Sequence, residues 1–281
     1  MVTNRSSIDI REIKECSELK AVEDLQKEIW GCSDREIFPS LALIPLLEIG
    51  GVLLGAFDGP DLIGFVLGFP GIEDGRLILH SDMLAVKSAY RSHGVGYRLK
   101  VAQRERARAK GIDKITWTFD PLQSLNAHLN FAKLGVIADK YKVNYYGETS
   151  SPLHRTGTDR LWVTWLLDSN NVHQRITGTK DHNLVWPDME SAPRLVRVGP
   201  DGEPLTDQKA LNHLTTVIEI PDDINGLMAE NPDLALRWRG ATREAFATAL
   251  AVGFLVEDFR WERESPPIGS YLLKARLNTE P

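Results

Sequence analysis

Cysteine is scarce in this sequence. Cys16 and Cys32 are the two among 281 residues, sixteen apart and without a neighbouring histidine. That spacing makes no zinc pattern, and no metal is expected. Free thiols in a reducing compartment are the expected state. Long apolar runs are missing as well: no stretch approaches the ~20 residues that span a membrane. The opening MVTNRSSIDIREIKE lacks the apolar core of a secretory leader. The expectation is a cytoplasmic protein with no membrane partner. A basic surplus is absent too. Lys and Arg number 33 against 39 Asp and Glu, a formal charge of -6. Nucleic acid is therefore not an expected partner. What is present is an ordinary globular composition, 42% hydrophobic, over a length that suits one large domain or two modest ones.

The first 168 residues alternate strand and helix. Ile8–Ile13 reads as a strand and Glu15–Trp30 as a helix, with Leu19, Val22, Leu25 and Ile29 at helical spacing. A second helix is predicted over Pro39–Ile49, with Pro39 in its first turn and Gly50–Gly51 past its end. GVLLGAFDGPDLIGFVLGFPG reads as two strands around an Asp58-Gly59-Pro60-Asp61 turn. Arg76–Val86 is a longer strand, followed by a helix to about Lys110 that Gly111 stops. Then come a strand over Lys114–Asp120, a helix over Pro121–Leu134 closed by Gly135, and strands near Asp139–Tyr145 and Arg160–Leu167.

Residues 169–208 are polar and turn-rich and read as a connecting segment with one short strand at Arg194–Val198. Residues 209–281 read as a β-α-β-β subdomain: TTVIEIP as strand, one or two helices over Asp222–Gly253, then strands over Phe254–Trp261 and Ser270–Arg276. The pieces FAKLGV and LAVGFLV share an order of helix end, glycine and strand, a sign of partial internal duplication. The fold class expected is α/β (α+β), a mixed sheet flanked by helices with a smaller C-terminal α/β segment.

The run LAVKSAYRSHGVGYRLK, residues 84–100, carries the chemistry. An apolar strand passes through a polar bend into a basic helix, with Gly94 and Gly96 at the junction. Helix N-termini leave amides unpaired and carry partial positive charge, so a tight turn feeding one is an anion site. Glycine lets a ligand approach the backbone, and Arg91 adds a planar fork for phosphate oxygens. Packing glycines at a plain strand-to-helix junction explain the spacing equally well. A Rossmann fingerprint is not met, because Leu99 stands where the third glycine belongs. A P-loop is not met, because no Gly-Lys-Ser/Thr follows.

This run resembles the acyl-CoA-binding motif of the GNAT superfamily of N-acyltransferases: a strand ending L-x-V, a bend, then R/Q-x-x-G-x-G/A opening a helix. Leu84, Val86, Arg91, Gly94 and Gly96 fall in register. The order of elements over residues 8–168 is similar, and GGVLLGAFDG, LHSDMLAV, WTFDPLQSLNAHLNFAKLG and DRLWVTW resemble a bacterial branch with an extra C-terminal segment. The resemblance implies a mostly antiparallel twisted sheet over residues 1–168, and a C-terminal segment resembling half of that fold. It implies acetyl-CoA or another acyl-CoA as co-substrate, and a small-molecule amine as acceptor. It implies direct attack in a ternary complex, and a homodimer is allowed. The pantetheine arm would lie along Met83, Leu84, Ala85 and Val86, with the Leu84 amide polarising the thioester. The pyrophosphate would sit on Arg91, Ser92, His93, Gly94, Val95, Gly96 and Tyr97. Asn126, Asn130 and Lys133 are further candidate contacts to the cofactor.

For proton chemistry, His80 and Asp82 lie two apart on the entering strand, and regular alternation would put them on one face with Leu84 and Val86. His80 suits a base near neutral pH, and Asp82 a base through water or an orienting group. The tyrosine that the family offers in the following helix is replaced by Phe131, so Tyr145 and Tyr146 are the candidate acids, with Tyr141 or water behind them. Asp120 is expected to cap the next helix, with Pro121 at its first position. Arg239 and Arg243 share a helical face; they are either a solvated face or a grip on a substrate carboxylate. A non-catalytic acyl-CoA-binding module is the rival reading, and a nucleotide-binding protein of another fold a third.

Overall fold

The computed structural model describes residues 8–149, 151, 154–178, 186–262 and 267–276. They fall into two compact units. The first is Met1–Trp117 with Ser150–Pro152, and the second is Thr118–Thr149 with Leu153–Pro281. The boundary read from sequence at 168/169 lies inside the second unit.

In the first unit, β1 (Asp9–Glu12) precedes α1 (Cys16–Trp30) and α2 (Ser40–Glu48). Leu19, Val22 and Leu25 form the buried stripe of α1, and Gly31 ends it in the left-handed conformation, its amide donating to Lys27. The hairpin of β2 (Val52–Asp58) and β3 (Asp61–Glu73) closes across Asp58 and Asp61. Asp74 and Gly75, both at positive φ, turn β3 into β4 (Arg76–Val86). After β4 come a single 3-10 turn, Ser88–Tyr90, then α3 (Val95–Ala109) and β5 (Lys114–Phe119), whose last two residues belong to the second unit. β1 to β4 pair antiparallel in chain order, and β5 pairs parallel with β4. One core joins Leu19, Val22, Leu25 and Leu43 to Leu53, Phe65, Leu67 and Ala85.

In the second unit, Pro121 does not open a helix. Asp120 accepts from the Leu122 amide at 2.9 Å, and α4 (Ser124–Ala127) starts later, continuing as a π-helical turn over His128–Lys133. β6 (Ile137–Lys142) and β7 (Arg160–Leu166) follow. The segment read as connecting holds α5 (Asn170–Thr177), β8 (Arg194–Val198) and β9 (Pro204–Thr206); its residues 179–185 lie outside the described ones. Ser169 caps α5 by accepting from Val172, and Gly178 ends it, but α5 buries only Val172, too faint an apolar stripe to read. β10 (Thr215–Pro221), α6 (Ile224–Glu230), α7 (Pro232–Ala251), β11 (Phe254–Glu262) and β12 (Ile268–Ala275) complete the unit. Its sheet runs β7-β6-β11-β12-β10-β8-β9. The two segments that share a helix–glycine–strand order supply neighbours: β6 and β11 pair across Ala138 and Val256.

Arg239 and Arg243 do not wait for a ligand. Arg239 Nη2 lies 2.7 Å from both oxygens of Asp120, and Arg243 forks onto Asp159 at 2.7 and 2.9 Å. The carboxylate-binding role considered for them is therefore taken by the protein's own aspartates. Burial works against the charge on Arg239, but Asp120 outweighs it and holds the guanidinium above its ordinary pKa. Breaking such a pair strands a buried charge. Asp120→Ala is expected to cost roughly 3–5 kcal/mol, seen as an earlier midpoint in urea unfolding. An unmoved midpoint would show that the pair holds nothing together.

Candidate active site

β4 carries one residue too many for its partner. His80 pairs with Phe69 and Met83 with Leu67, so Ser81 and Asp82 together face Gly68. This is a β-bulge, and it breaks the alternation. Paired residues share a face, so His80 goes with Met83 and Ala85, and Leu84 and Val86 take the other. His80 packs on the Phe69 ring at 5.6 Å, as that register requires. The expectation that His80, Asp82, Leu84 and Val86 share one face is corrected by the extra residue.

The bulge also sets what β4 offers at its edge. Among the described residues, its ladder with β5 holds two positions, Leu79 with Ile115 and His80 with Thr116. Lys87 donates its amide to Ile63 on the inner side. Alternation then turns the amides of Met83 and Ala85 toward β3, and those of Leu84 and Val86 toward the outer edge. The Val86 carbonyl confirms the direction, since Arg91 Nε donates to it at 3.1 Å. The Leu84 amide is thus placed to meet a carbonyl lying along that edge.

The turn that follows is built for an approaching ligand. Ser92 and Gly94 are left-handed, at φ 63° and 75°. The His93 ring donates to the Arg91 carbonyl at 2.7 Å and tightens the bend. Gly94 is the N-cap of α3, no side chain caps that end, and nothing lies within 4 Å of where a Gly94 Cβ would stand. Arg91, Ser92, His93 and Gly94 are exposed, Gly96 and Tyr97 half-buried, and Val95 buried. The amides of that first turn have no partner inside the helix.

Two titratable groups flank the bulge. The His80 ring shares a 3.0 Å hydrogen bond with Thr116 through Nδ1. Burial, and then the Lys100 charge, hold its pKa below the ordinary histidine value, so the ring is neutral at pH 7. Burial pushes the Asp82 carboxyl above its ordinary value. Sequence reasoning missed Lys100 altogether. It is wholly buried on α3, 2.9 Å from Ser81 Oγ and 3.3 Å from Gln103 Oε1, with its ammonium 3.5 Å from the centre of the Trp117 ring. It ties the bulge to the helix behind it. Its burial alone holds its pKa well below the lysine norm. A lysine one place after the buried Leu99 was the available signal.

The structure brings together His80, Asp82, the stretch Met83–Val86 and the turn Arg91–Tyr97. The other candidates stand in the second unit. Asn126 and Lys133 are exposed there, and Asn130 is buried. Phe131 is fully buried, edge-on to Tyr271 at 5.7 Å. Tyr141 donates to Asp159 and is pushed up by burial, which removes it as an acid. Tyr145 and Tyr146 are about half exposed and meet edge to face at 4.9 Å. Cys16 and Cys32 are free, and no helix among the described residues is long and apolar enough to cross a membrane.

Residues 19–136 match the model of the acetyltransferase (GNAT) family. No curated protein matches the chain. The solved structures that the chain is similar to include three acetyltransferases. The NatC complex bound to Gag peptide and CoA gives 18% identity, 57% of this chain, 99% of that chain and a TM-score of 0.47. The ribosomal-protein-S18-alanine N-acetyltransferase of Escherichia coli gives 13%, 64%, 100% and 0.46. PaiA N-acetyltransferase from Thermoplasma acidophilum, in complex with coenzyme A, gives 19%, 57%, 98% and 0.42.

Lys100→Met removes the ammonium and leaves the burial. The His80 pKa is expected to rise while staying under the ordinary value, read by ring-proton NMR titration. A midpoint that does not move would show that the two groups are uncoupled.

Proposed function

We propose that residues 19–136, which match the acetyltransferase (GNAT) family model, form an acyl-CoA-dependent N-acyltransferase domain, and that the chain acylates the amine of a small molecule such as an amino acid. The donor is acetyl-CoA or a related acyl-CoA, succinyl-CoA included. The observation that carries this reading is the junction of β4 and α3: an outward amide at Leu84, then an uncapped helix start behind a left-handed Gly94. A thioester along Met83–Val86 would place its carbonyl at the Leu84 amide and its diphosphate on the turn, beside Arg91. Holding donor and amine together supplies much of the acceleration.

The acceptor must lose a proton before it attacks. Asp82 takes it in this reading, because burial raises its basicity and no side-chain partner among the described residues occupies it. His80, neutral and held by Thr116, is the second base. Phe131 has no hydroxyl, so Tyr145 or Tyr146 returns a proton to the departing thiolate. Asn126, Asn130 and Lys133 are carried as further cofactor contacts. The acidic chain, at formal charge -6, disfavours a nucleic-acid acceptor. Phe131 favours one alternative, an acyl-CoA-binding module without turnover.

Asp82→Asn is expected to lower kcat by at least ~100-fold with little change in CoA affinity; activity within a few-fold of wild type would remove Asp82 as the base. The acid limb of the kcat/KM profile should lie above the ordinary carboxylate range, since Asp82 must be ionised to act. Gly94→Ala sets a Cβ on a left-handed residue and over the amides, and should weaken CoA about tenfold or more, measured by calorimetry. Unchanged affinity would place the diphosphate elsewhere. Tight CoA binding with no CoA released across a panel of amines would favour the binding module.

A further inference from the structure

The second unit gathers three arginines and two aspartates. Asp120 takes Arg239 and Asp159 takes Arg243. Arg160 is left with neutral partners. Its Nη1 donates to the Asp159 carbonyl at 2.9 Å, and its Nη2 to His154 Nε2 at 2.7 Å. No carboxylate lies within 4.0 Å of it among the described residues, yet only 7% of its surface is exposed. A buried cation with no carboxylate in contact is costly, and the Asp120 charge that acts on it from further off is already held by Arg239, so a bound anion would offset the cost. The pKa directions agree. Burial pulls Arg160 below its ordinary value against the opposing Asp120 charge, whereas Arg239 and Arg243 are held above theirs.

The side chains around Arg160 are neutral and aromatic. Because His154 Nε2 accepts from Arg160, its Nδ1 carries the ring proton and donates to Thr149 Oγ1 at 2.6 Å. That fixes the imidazole as neutral. The Tyr146 ring lies over the guanidinium at 5.0 Å and parallel to the His154 ring. Tyr146 is 46% exposed, so this side borders solvent, and its hydroxyl lies 3.3 Å from Thr118 Oγ1. Tyr145 and Trp162 continue the aromatic wall.

We propose that Arg160 is the floor of an anion subsite that receives a carboxylate of the substrate, with Tyr146 as its wall. This rests on the acyl-transfer reading for the source of the carboxylate: an amino-acid acceptor, or the distal end of a dicarboxylic acyl group. A planar guanidinium beside an aromatic ring suits the two oxygens of a carboxylate.

The test has a binding arm and a turnover arm. In calorimetry on the CoA-free protein, amino acids and succinate should bind and the matching carboxamides should not. Arg160→Gln should abolish that binding, and Arg160→Lys should restore part of it. Tyr146→Ala, which leaves the buried arginine in place, should weaken it even if the arginine variants fold poorly. In turnover, wild type should prefer amino acids to their carboxamides, or succinyl-CoA to acetyl-CoA, by about 30-fold or more. Which preference appears names the source, and Arg160→Gln should erase it. Carboxylate binding that depends on Arg160 with no acyl transfer would leave the subsite standing and end the acyl-transfer reading. Equal binding of carboxylates and carboxamides, or a preference that survives in Arg160→Gln, would overturn the subsite.

Discussion

One extra residue in β4 governs the first unit. With Ser81 and Asp82 both opposite Gly68, the strand bends and its faces exchange. Its ladder with β5 reaches only to His80 and Thr116, and the amides of Leu84 and Val86 turn outward. A bulge is an irregularity that a sheet tends to iron out unless something holds it. Here a buried ammonium does so, hydrogen-bonded to Ser81 and seated on the Trp117 ring. Desolvating Lys100 is costly, and its hydrogen bonds to Ser81 and Gln103 and its seat on the Trp117 ring offset part of that cost.

The same logic runs through the second unit with the opposite outcome. Of the three arginines gathered there, Arg239 and Arg243 are met by aspartates and the buried Arg160 by neutral groups. The paired charges fasten α7 to Asp159, just ahead of β7, and to Asp120, just past β5. Arg239 and Arg243 are the residues that sequence periodicity brings forward, since they lie four apart on one helical face. Arg160 opens a strand with no periodic companion, so its isolation becomes visible only when the aspartates are counted in space.

Elements with strong local signals were legible in the sequence: α1 from its apolar stripe, the β2–β3 turn from Asp-Gly-Pro-Asp, and α3 from the glycines before it and Gly111 after it. The turn at Arg91–Tyr97 was legible because glycine, arginine and a helix start leave marks in sequence. Less was visible where tertiary contacts overrode local preference. Pro121 looks like a first helical residue, but Asp120 is held by Arg239 and the chain enters α4 only at Ser124. Residues 169–208 look like a tether, yet β8 joins the sheet beside β10, a pairing that local composition does not announce.

By itself, the sequence determined the alternation of strands and helices, the glycine turn between β4 and α3 and its family resemblance, because these depend on neighbours within a few residues. The tertiary structure alone decided which way each strand residue faces and which charge meets which. A strand's register is set by its partner, so a single unmatched residue reverses every side chain beyond it. An ion pair is a matter of distance between segments far apart in the chain, and only folding brings Asp120 to Arg239 while leaving no carboxylate among the described residues in contact with Arg160.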